Sequence, residues 1–121
     1  MKICAFDVDG TLEVSGGPVS IVSVGSLKAE GHIVGLNGNW AGGSSIGAAV
    51  APHFQLHCPM EMSKDIFLDQ LKTYIPADDY IVVGNIKSET SGVSGASDDE
   101  GVANLAGWRF IKESDFTAGA R

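Results

Sequence analysis

The chain has few cysteines, few basic residues and no long apolar run, and each shortage argues against a class of protein. Its two cysteines, Cys4 and Cys58, are spaced like neither a disulfide framework nor a cysteine-based metal site. Only eight residues are Lys or Arg, against fifteen that are Asp or Glu. Nucleic acid is therefore not the default partner, because phosphate backbones are bound by clustered positive charge. The apolar runs, such as residues 80–83, are too short to cross a membrane.

What remains is the composition of a small folded protein. The apolar share is 44% of 121 residues, enough for one core and too little chain for a second lobe, so we expect a single domain over residues 1–121 without a sizeable cap. The first predicted strand follows Met1 and Lys2 directly, and we therefore expect no cleavable leader and a soluble, cytoplasmic protein. The sequence leaves the oligomeric state open.

Apolar runs and helical patterns alternate along the chain. Strands are predicted from Ile3 onward and at residues 32–36, 54–57, 80–83 and 108–111. Helices are predicted at residues 18–30 with Pro18 in the first turn, at 42–51, at 63–75 and at 102–106. This alternation predicts an α/β fold: a single Rossmann-like, doubly wound domain with a mainly parallel five-stranded sheet. In such folds the ligand lies at the carboxyl ends of the strands.

Two carboxylates follow the first predicted strand, one residue apart. Strand alternation would place Asp7 and Asp9 on the same side, with Val8 pointing away. Like charges this close disfavour each other unless a cation or a proton lies between them. Gly10 permits a tight turn, and Thr11 offers a hydroxyl and an amide to a bound group. The segment therefore has the character of an active site built around a metal and a substrate.

The pattern Asp-x-Asp-Gly-Thr at residues 7–11 resembles the first motif of the haloacid dehalogenase superfamily, most of whose members are magnesium-dependent phosphatases. The resemblance implies that Asp7 is a nucleophile and that Asp9 is a general acid and base. It also implies Mg²⁺ as the cofactor. The alternative is an ordinary acidic turn of the Asp-Gly type.

The second and third motifs of that superfamily have counterparts in the right order. Its second motif is a strand that ends in Ser or Thr; here the strand ends in Asn37-Gly38, which keeps an amide donor for a phosphoryl group but is also a common turn sequence. Its third motif is a lysine at the start of a helix, and Lys64 fits it. Lys72 and Lys87 are rival lysines for this role.

The fourth motif is a strand followed by Gly-Asp and by another Asp, all near the magnesium ion. Here Gly84 is followed by Asn85, and acids reappear only at Asp98 and Asp99, which the sequence does not rank. Asn in place of Asp keeps an oxygen ligand but removes a charge, which weakens a site for a hard cation. The alternative for the two acids is an ordinary acidic first turn of a helix.

The resemblance as a whole implies a small capless phosphatase that acts on a phosphorylated small molecule or macromolecule. Magnesium would be held by a carboxylate oxygen of Asp7, the backbone carbonyl of Asp9 and an acid of the Asp98–Asp99 pair, with Asn85 as a further candidate. Two alternatives remain open. The Asn residues at positions 37 and 85 are compatible with a degenerate domain that binds a phosphorylated ligand or a protein without turnover, and the same site residues would permit phosphoryl transfer to an acceptor other than water.

Overall fold

The computed structural model describes residues 1–37, 49–59, 62–86 and 98–121. Strands and helices alternate along these ranges. The strands are β1 (Lys2–Phe6), β2 (Ile33–Leu36), β3 (Leu56–His57), β4 (Asp79–Gly84) and β5 (Arg109–Lys112). The α helices are α1 (Ile21–Ala29), α2 (Lys64–Tyr74), α3 (Asp99–Ala106) and α4 (Glu113–Thr117), and Glu13–Ser15 and Ala51–His53 form short 3-10 turns.

The strands form one five-stranded sheet in the order β3-β2-β1-β4-β5, and every pair is parallel. The first strand is therefore central: Phe6 is level with Leu36 of β2 on one side and with Val83 of β4 on the other. This confirms the expected small Rossmann-like α/β domain. It also places the carboxyl ends of β1, β2 and β4 next to one another, at the edge where the sequence predicts the site.

Helices cover both faces of the sheet. On one face, α1 and α4 pack over a core whose largest fully buried members are Phe6, Leu12, Leu36, Ile81 and Phe116. On the other face, α2 and α3 pack over Ile3, Val82 and Trp108. The indole nitrogen of Trp108 donates to the backbone oxygen of Leu68 in α2, at 3.1 Å. The three inner strands β1, β2 and β4 are thus buried on both sides, as their largely apolar sequences require.

Several elements differ from the sequence prediction, among them α3, which begins at Asp99 rather than at residue 102. Helix α1 begins at Ile21 rather than at Pro18, because Val19 is buried in an extended bridge beside Leu12 and the Ser20 hydroxyl accepts from the Ser23 amide at 3.2 Å. Strand β3 has only two residues, Leu56–His57. Helix α4 was not predicted, because its five residues contain one apolar side chain, Phe116, whose ring lies edge-to-face against Phe6.

Several predicted segments fall partly or wholly on residues that the structure does not describe. Most of the predicted helix at 42–51 lies there, as do Gly38 and Lys87. Val50 is described and is buried in the α1 face of the core. Within the described ranges, no helix is long and apolar enough to span a membrane.

Candidate active site

Asp7 lies directly after the central strand, and backbone hydrogen bonds hold it at the edge of the sheet. Its amide donates to the Val83 oxygen of β4 at 3.0 Å, and the Asn37 amide donates to the Phe6 oxygen at 2.7 Å. The hydrogen-bond pattern of the sheet thus continues one residue past the ends of β1 and β2. Asp7 is 3% exposed, so its carboxylate projects from a hydrogen-bonded backbone into a place that water barely reaches.

Lys64 reaches this carboxylate from the start of α2. Its ammonium nitrogen lies 2.9 Å from Asp7 Oδ1 and 3.2 Å from Asp99 Oδ1. Asp99 is the first residue of α3 and is completely buried. One ammonium therefore bridges two carboxylates that come from different elements of the chain. Of the candidate lysines, Lys64 joins the cluster, whereas the Lys72 ammonium donates to the Gly107 carbonyl at the other end of α2.

Asn85 contacts the other oxygen of the Asp7 carboxylate. Its side-chain nitrogen donates to Asp7 Oδ2 at 3.0 Å and to the backbone oxygen of Asp9 at 2.7 Å. Its backbone amide donates to Asp99 Oδ2 at 2.8 Å. The Thr11 hydroxyl lies 3.5 Å from Asp7 Oδ2, at the outer limit of a hydrogen bond. Asn85 therefore ties together the residues after β1 and the first residue of α3.

Two glycines make this close packing feasible. A Cβ on Gly84 would lie 2.5 Å from Asp99 Oδ2, so only glycine lets the buried carboxylate approach the end of β4. Gly10 has a φ of 73°, a left-handed conformation that favours glycine, and a Cβ there would lie 3.4 Å from both polar atoms of the Asn85 amide. The sequence signal for Gly84 was its position immediately before Asn85, but its role in admitting Asp99 was not predicted.

Burial and charge act on the cluster in opposite directions. Burial raises the pKa of Asp7 from 3.8 to about 7; the Lys64 ammonium opposes this rise and the Asp99 carboxylate adds to it. Burial alone would lower the pKa of Lys64, but the two carboxylates raise it above its ordinary value. Lys64 therefore stays positively charged. With both acids ionised, these three buried groups carry one excess negative charge, which a proton or a cation would neutralise.

Asn37 lies beside Asp7, as the sequence predicts, but its side chain is unusual. The residue is completely buried, and neither polar atom of its carboxamide has a hydrogen-bond partner among the described residues. The register of β1 with β2 places it on the same face of the sheet as Asp7. A buried amide without partners costs about 1–3 kcal/mol. Such an amide is well suited to form hydrogen bonds with a bound ligand, as a donor through its nitrogen or as an acceptor through its oxygen.

The remaining predicted residues are only partly brought together. Asp9 is half-buried and contributes its backbone oxygen, while its carboxylate makes no hydrogen bond to any residue in the described ranges. Asp98 is exposed, and its carboxylate caps α3 by accepting from the Gly101 amide at 3.1 Å. Of the two acids that the sequence does not rank, Asp99 is the one in the cluster. Gly38 lies outside the described residues.

Cys58 is a buried thiol whose surroundings disfavour the thiolate. It is buried, and its sulfur lies 3.5 Å from the Met62 oxygen. Burial raises the pKa of the thiol, and the charge of Lys64 only partly opposes that rise. The nucleophile is the thiolate, so a raised pKa makes this cysteine less reactive than an ordinary one.

A magnesium ion would find oxygen donors at one place in this site. Asp7 Oδ2 and the Asp9 carbonyl both face the Asn85 carboxamide, and oxygen donors suit a hard cation. No group of three or more His, Cys, Asp or Glu side chains is arranged to hold a metal within the part of the chain that is described. Besides Asp7, any ion here would therefore depend on the backbone carbonyl of Asp9 and on the side-chain oxygen of Asn85.

The chain was compared with models of protein families, with curated proteins and with solved structures, and nothing in any of the three matches it. A rigid, nearly buried carboxylate beside a fixed ammonium is suited to attack an electron-poor centre that carries negative charge. A phosphoryl group has that character.

Proposed function

We propose that the protein is a phosphatase that transfers the phosphoryl group of a phosphate monoester first to Asp7 and then to water. The observation that carries the proposal is the ammonium of Lys64, held 2.9 Å from Asp7 Oδ1 by a helix that starts at this residue. A phosphate dianion and a carboxylate repel each other, and a fixed positive charge at their meeting point reduces that repulsion. The resemblance of residues 7–11 and of Lys64 to haloacid dehalogenase motifs supports the same reaction.

In the first step, an oxygen of the Asp7 carboxylate attacks phosphorus and the bond from phosphorus to the ester oxygen breaks. The product is an aspartyl-phosphate, and the leaving oxygen takes a proton from the Asp9 carboxyl group. Lys64 neutralises part of the charge on the transferred group. Asp9 suits the acid role because it lies two residues from the nucleophile and its carboxylate is not committed to a described neighbour.

In the second step, the Asp9 carboxylate removes a proton from a water molecule, and this water attacks phosphorus. The bond between phosphorus and Asp7 breaks, which releases inorganic phosphate and restores the carboxylate. The Thr11 hydroxyl and the Asn37 amide are donors beside Asp7 for the phosphoryl oxygens. A ligand oxygen would satisfy the buried Asn37 amide, and this gain would strengthen binding.

Magnesium would be held by a carboxylate oxygen of Asp7, the backbone oxygen of Asp9 and the side-chain oxygen of Asn85. When bound, it supplies charge neutralisation and alignment of the phosphoryl group. The excess negative charge of the Asp7, Asp99 and Lys64 cluster favours such an ion. Asp99 is less suited as a ligand, because its two oxygens already accept from Lys64 and from the Asn85 amide.

One observation favours a second function, the binding of a phosphorylated ligand or protein without turnover. Asn85 presents a nitrogen, not an oxygen, to Asp7 and Asp9, and Asn37 offers an amide where a hydroxyl is expected. Both replacements keep hydrogen-bonding capacity and lose reactivity or charge. A domain of this second kind would bind phosphate esters with Asp7 intact and would release no phosphate.

The deciding experiment measures the release of inorganic phosphate from an aryl phosphate, with magnesium and with a chelator. The proteins are the wild type, Asp7→Asn and Asp9→Asn. We expect release that needs magnesium, disappears in Asp7→Asn and falls about 10²–10⁴-fold in Asp9→Asn. Release that survives Asp7→Asn unchanged would contradict the phosphatase proposal. Binding of a phosphate ester without release would favour the second function.

A further inference from the structure

The carboxamide of Asn85 has an orientation that its neighbours dictate. Asp7 Oδ2 and the Asp9 carbonyl are both acceptors, and they share the side-chain nitrogen of Asn85 at 3.0 and 2.7 Å. The amide oxygen in the same place would face two other oxygens with no proton between them. Without a cation, therefore, only the nitrogen fits. Asn85 is 2% exposed, and its backbone amide is bound to Asp99, so the side chain has little freedom apart from turning over.

The position of this nitrogen matches that of a metal ligand. Magnesium takes octahedral geometry with oxygens at about 2.0–2.1 Å, so adjacent ligands lie about 3.0 Å from each other. The nitrogen of Asn85 lies 3.0 and 2.7 Å from two oxygens that would bind such an ion. The nitrogen thus lies at the distance of a neighbouring ligand from each of the two oxygens, but it carries protons and cannot bind a metal.

We propose that the Asn85 carboxamide turns over when a divalent cation binds, so that its oxygen replaces its nitrogen beside Asp7 and Asp9. This inference rests on the proposed function, because the cation is the one that function requires. Without the ion, the amide donates two hydrogen bonds and holds the site together. With the ion, the same side chain becomes its third protein ligand, and the two hydrogen bonds are lost.

Charge supplies the driving force for this change. Gly10 places no side chain against the amide, and even a Cβ there would be in ordinary contact, 3.4 Å from its nitrogen and 3.4 Å from its oxygen. With both carboxylates ionised, the buried cluster of Asp7, Asp99 and Lys64 carries one excess negative charge, which attracts a cation. Because binding must first break two hydrogen bonds, of which one is to a carboxylate, the affinity is lower than with a carboxylate at position 85.

The inference predicts the behaviour of two matched variants. Asn85→Asp presents an oxygen without any rotation and adds a charge, and we expect it to bind Mg²⁺ at least about tenfold more tightly than the wild type. Asn104→Asp makes the same change of net charge on the exposed surface of α3. We expect its affinity for Mg²⁺ to equal that of the wild type. Binding is measured by isothermal titration calorimetry on the full chain.

The rotation itself is followed by NMR on protein labelled with ¹⁵N-asparagine. The sequence has four asparagines, at positions 37, 39, 85 and 104, and the side-chain signal of Asn85 is the one that disappears in Asn85→Asp. On titration with Mg²⁺ we expect its two proton signals to move upfield, because they lose two hydrogen bonds of which one is charge-assisted, and to saturate together with the binding isotherm. The signal of Asn104 should stay in place.

Two results would overturn the inference. One is magnesium binding by the wild type while the Asn85 signal stays unchanged, which would mean that the ion binds without this side chain. The other is no binding by the wild type at millimolar Mg²⁺, which would mean that the amide replaces the cation permanently. If Asn85→Asp folds only with the ion, the wild-type titration decides alone. Rotation without release of phosphate would leave the inference standing and would refute only the phosphatase proposal.

Discussion

Replacing Asp7 by asparagine should stabilise the cation-free protein, and increasingly so as the pH rises. Burial raises the pKa of Asp7 from 3.8 to about 7. In the unfolded chain this carboxyl ionises near 3.8, whereas in the folded protein it stays protonated until about pH 7. Unfolding therefore releases a proton in this interval, and the stability of the wild type falls as the pH rises through it. Below the interval the stability is unaffected, and above it the loss is complete.

The size of the effect follows from the same pKa values. One pKa unit corresponds to about 1.4 kcal/mol, so ionised Asp7 reduces the free energy of unfolding by about 4 kcal/mol at most. Between about pH 5 and pH 8 the change is about 3 kcal/mol. Asp7→Asn removes the charge, and it leaves Lys64 paired with the buried carboxylate of Asp99. The free energy of unfolding of Asp7→Asn, measured relative to that of the wild type, should therefore rise by about 3 kcal/mol between about pH 5 and pH 8.

The assay is urea unfolding of both proteins in chelator, at several pH values. Asp98→Asn is the control, because it changes the net charge equally at an exposed helix cap, where asparagine serves as well as aspartate. If the difference in stability between Asp7→Asn and the wild type changed with pH no more than that of this control, Asp7 would be ionised throughout. If Asp7→Asn were the less stable protein near pH 8, the ion pair with Lys64 would outweigh burial.

Two further predictions concern Asp99. Gly84→Ala places a Cβ 2.5 Å from the Asp99 carboxylate, and we expect it to lower the free energy of unfolding, measured in urea, by about 1–3 kcal/mol. The control is Gly25→Ala, in a helix with open space around the glycine, which should raise the free energy of unfolding by about 0.5–1 kcal/mol. Asp99→Asn removes the like charge that adds to the raised pKa of Asp7, so the carboxyl carbon of Asp7 should titrate at a lower pH by ¹³C NMR. An unchanged titration would refute that contribution.

The fold was predictable because its strands are short, apolar and separated by helical patterns. Gly31 and Gly107 end their helices with φ values of 89° and 71°, as their sequence positions indicate. Phe116 was missed, because its helix contains no apolar repeat from which it could be recognised. The start of α1 was misplaced, because the burial of Val19 depends on the bridge to Leu12, a contact between segments that no local pattern reveals.

The site was predictable to the extent that a parallel sheet collects the ends of its strands. From this rule Asp7 and Asn85 are expected at the same edge of the sheet, where they are hydrogen-bonded. Lys64 was expected there from its position at the start of a helix, and its ammonium contacts Asp7. The choice between Asp98 and Asp99 could not be made from the sequence, because adjacent residues at a helix start point in different directions and only packing decides which is buried. Gly84 allows Asp99 to be the buried one, because the Asp99 carboxylate occupies the space that a side chain at position 84 would fill.

The charge balance explains what asparagine at position 85 does for the protein. The buried carboxylates of Asp7 and Asp99 face one ammonium, Lys64, so the three groups carry one excess negative charge when both acids are ionised. Because the pKa of Asp7 is raised to about 7, one proton on Asp7 can neutralise this charge near pH 7. A carboxylate at position 85 would add a second excess charge in the same buried place, and the folded state would then depend on a bound cation. Asn85 avoids that dependence, because its nitrogen donates to the oxygens that would otherwise repel each other. In the proposed metal-binding function, a weaker affinity for the cation would therefore be coupled to a fold that does not depend on one.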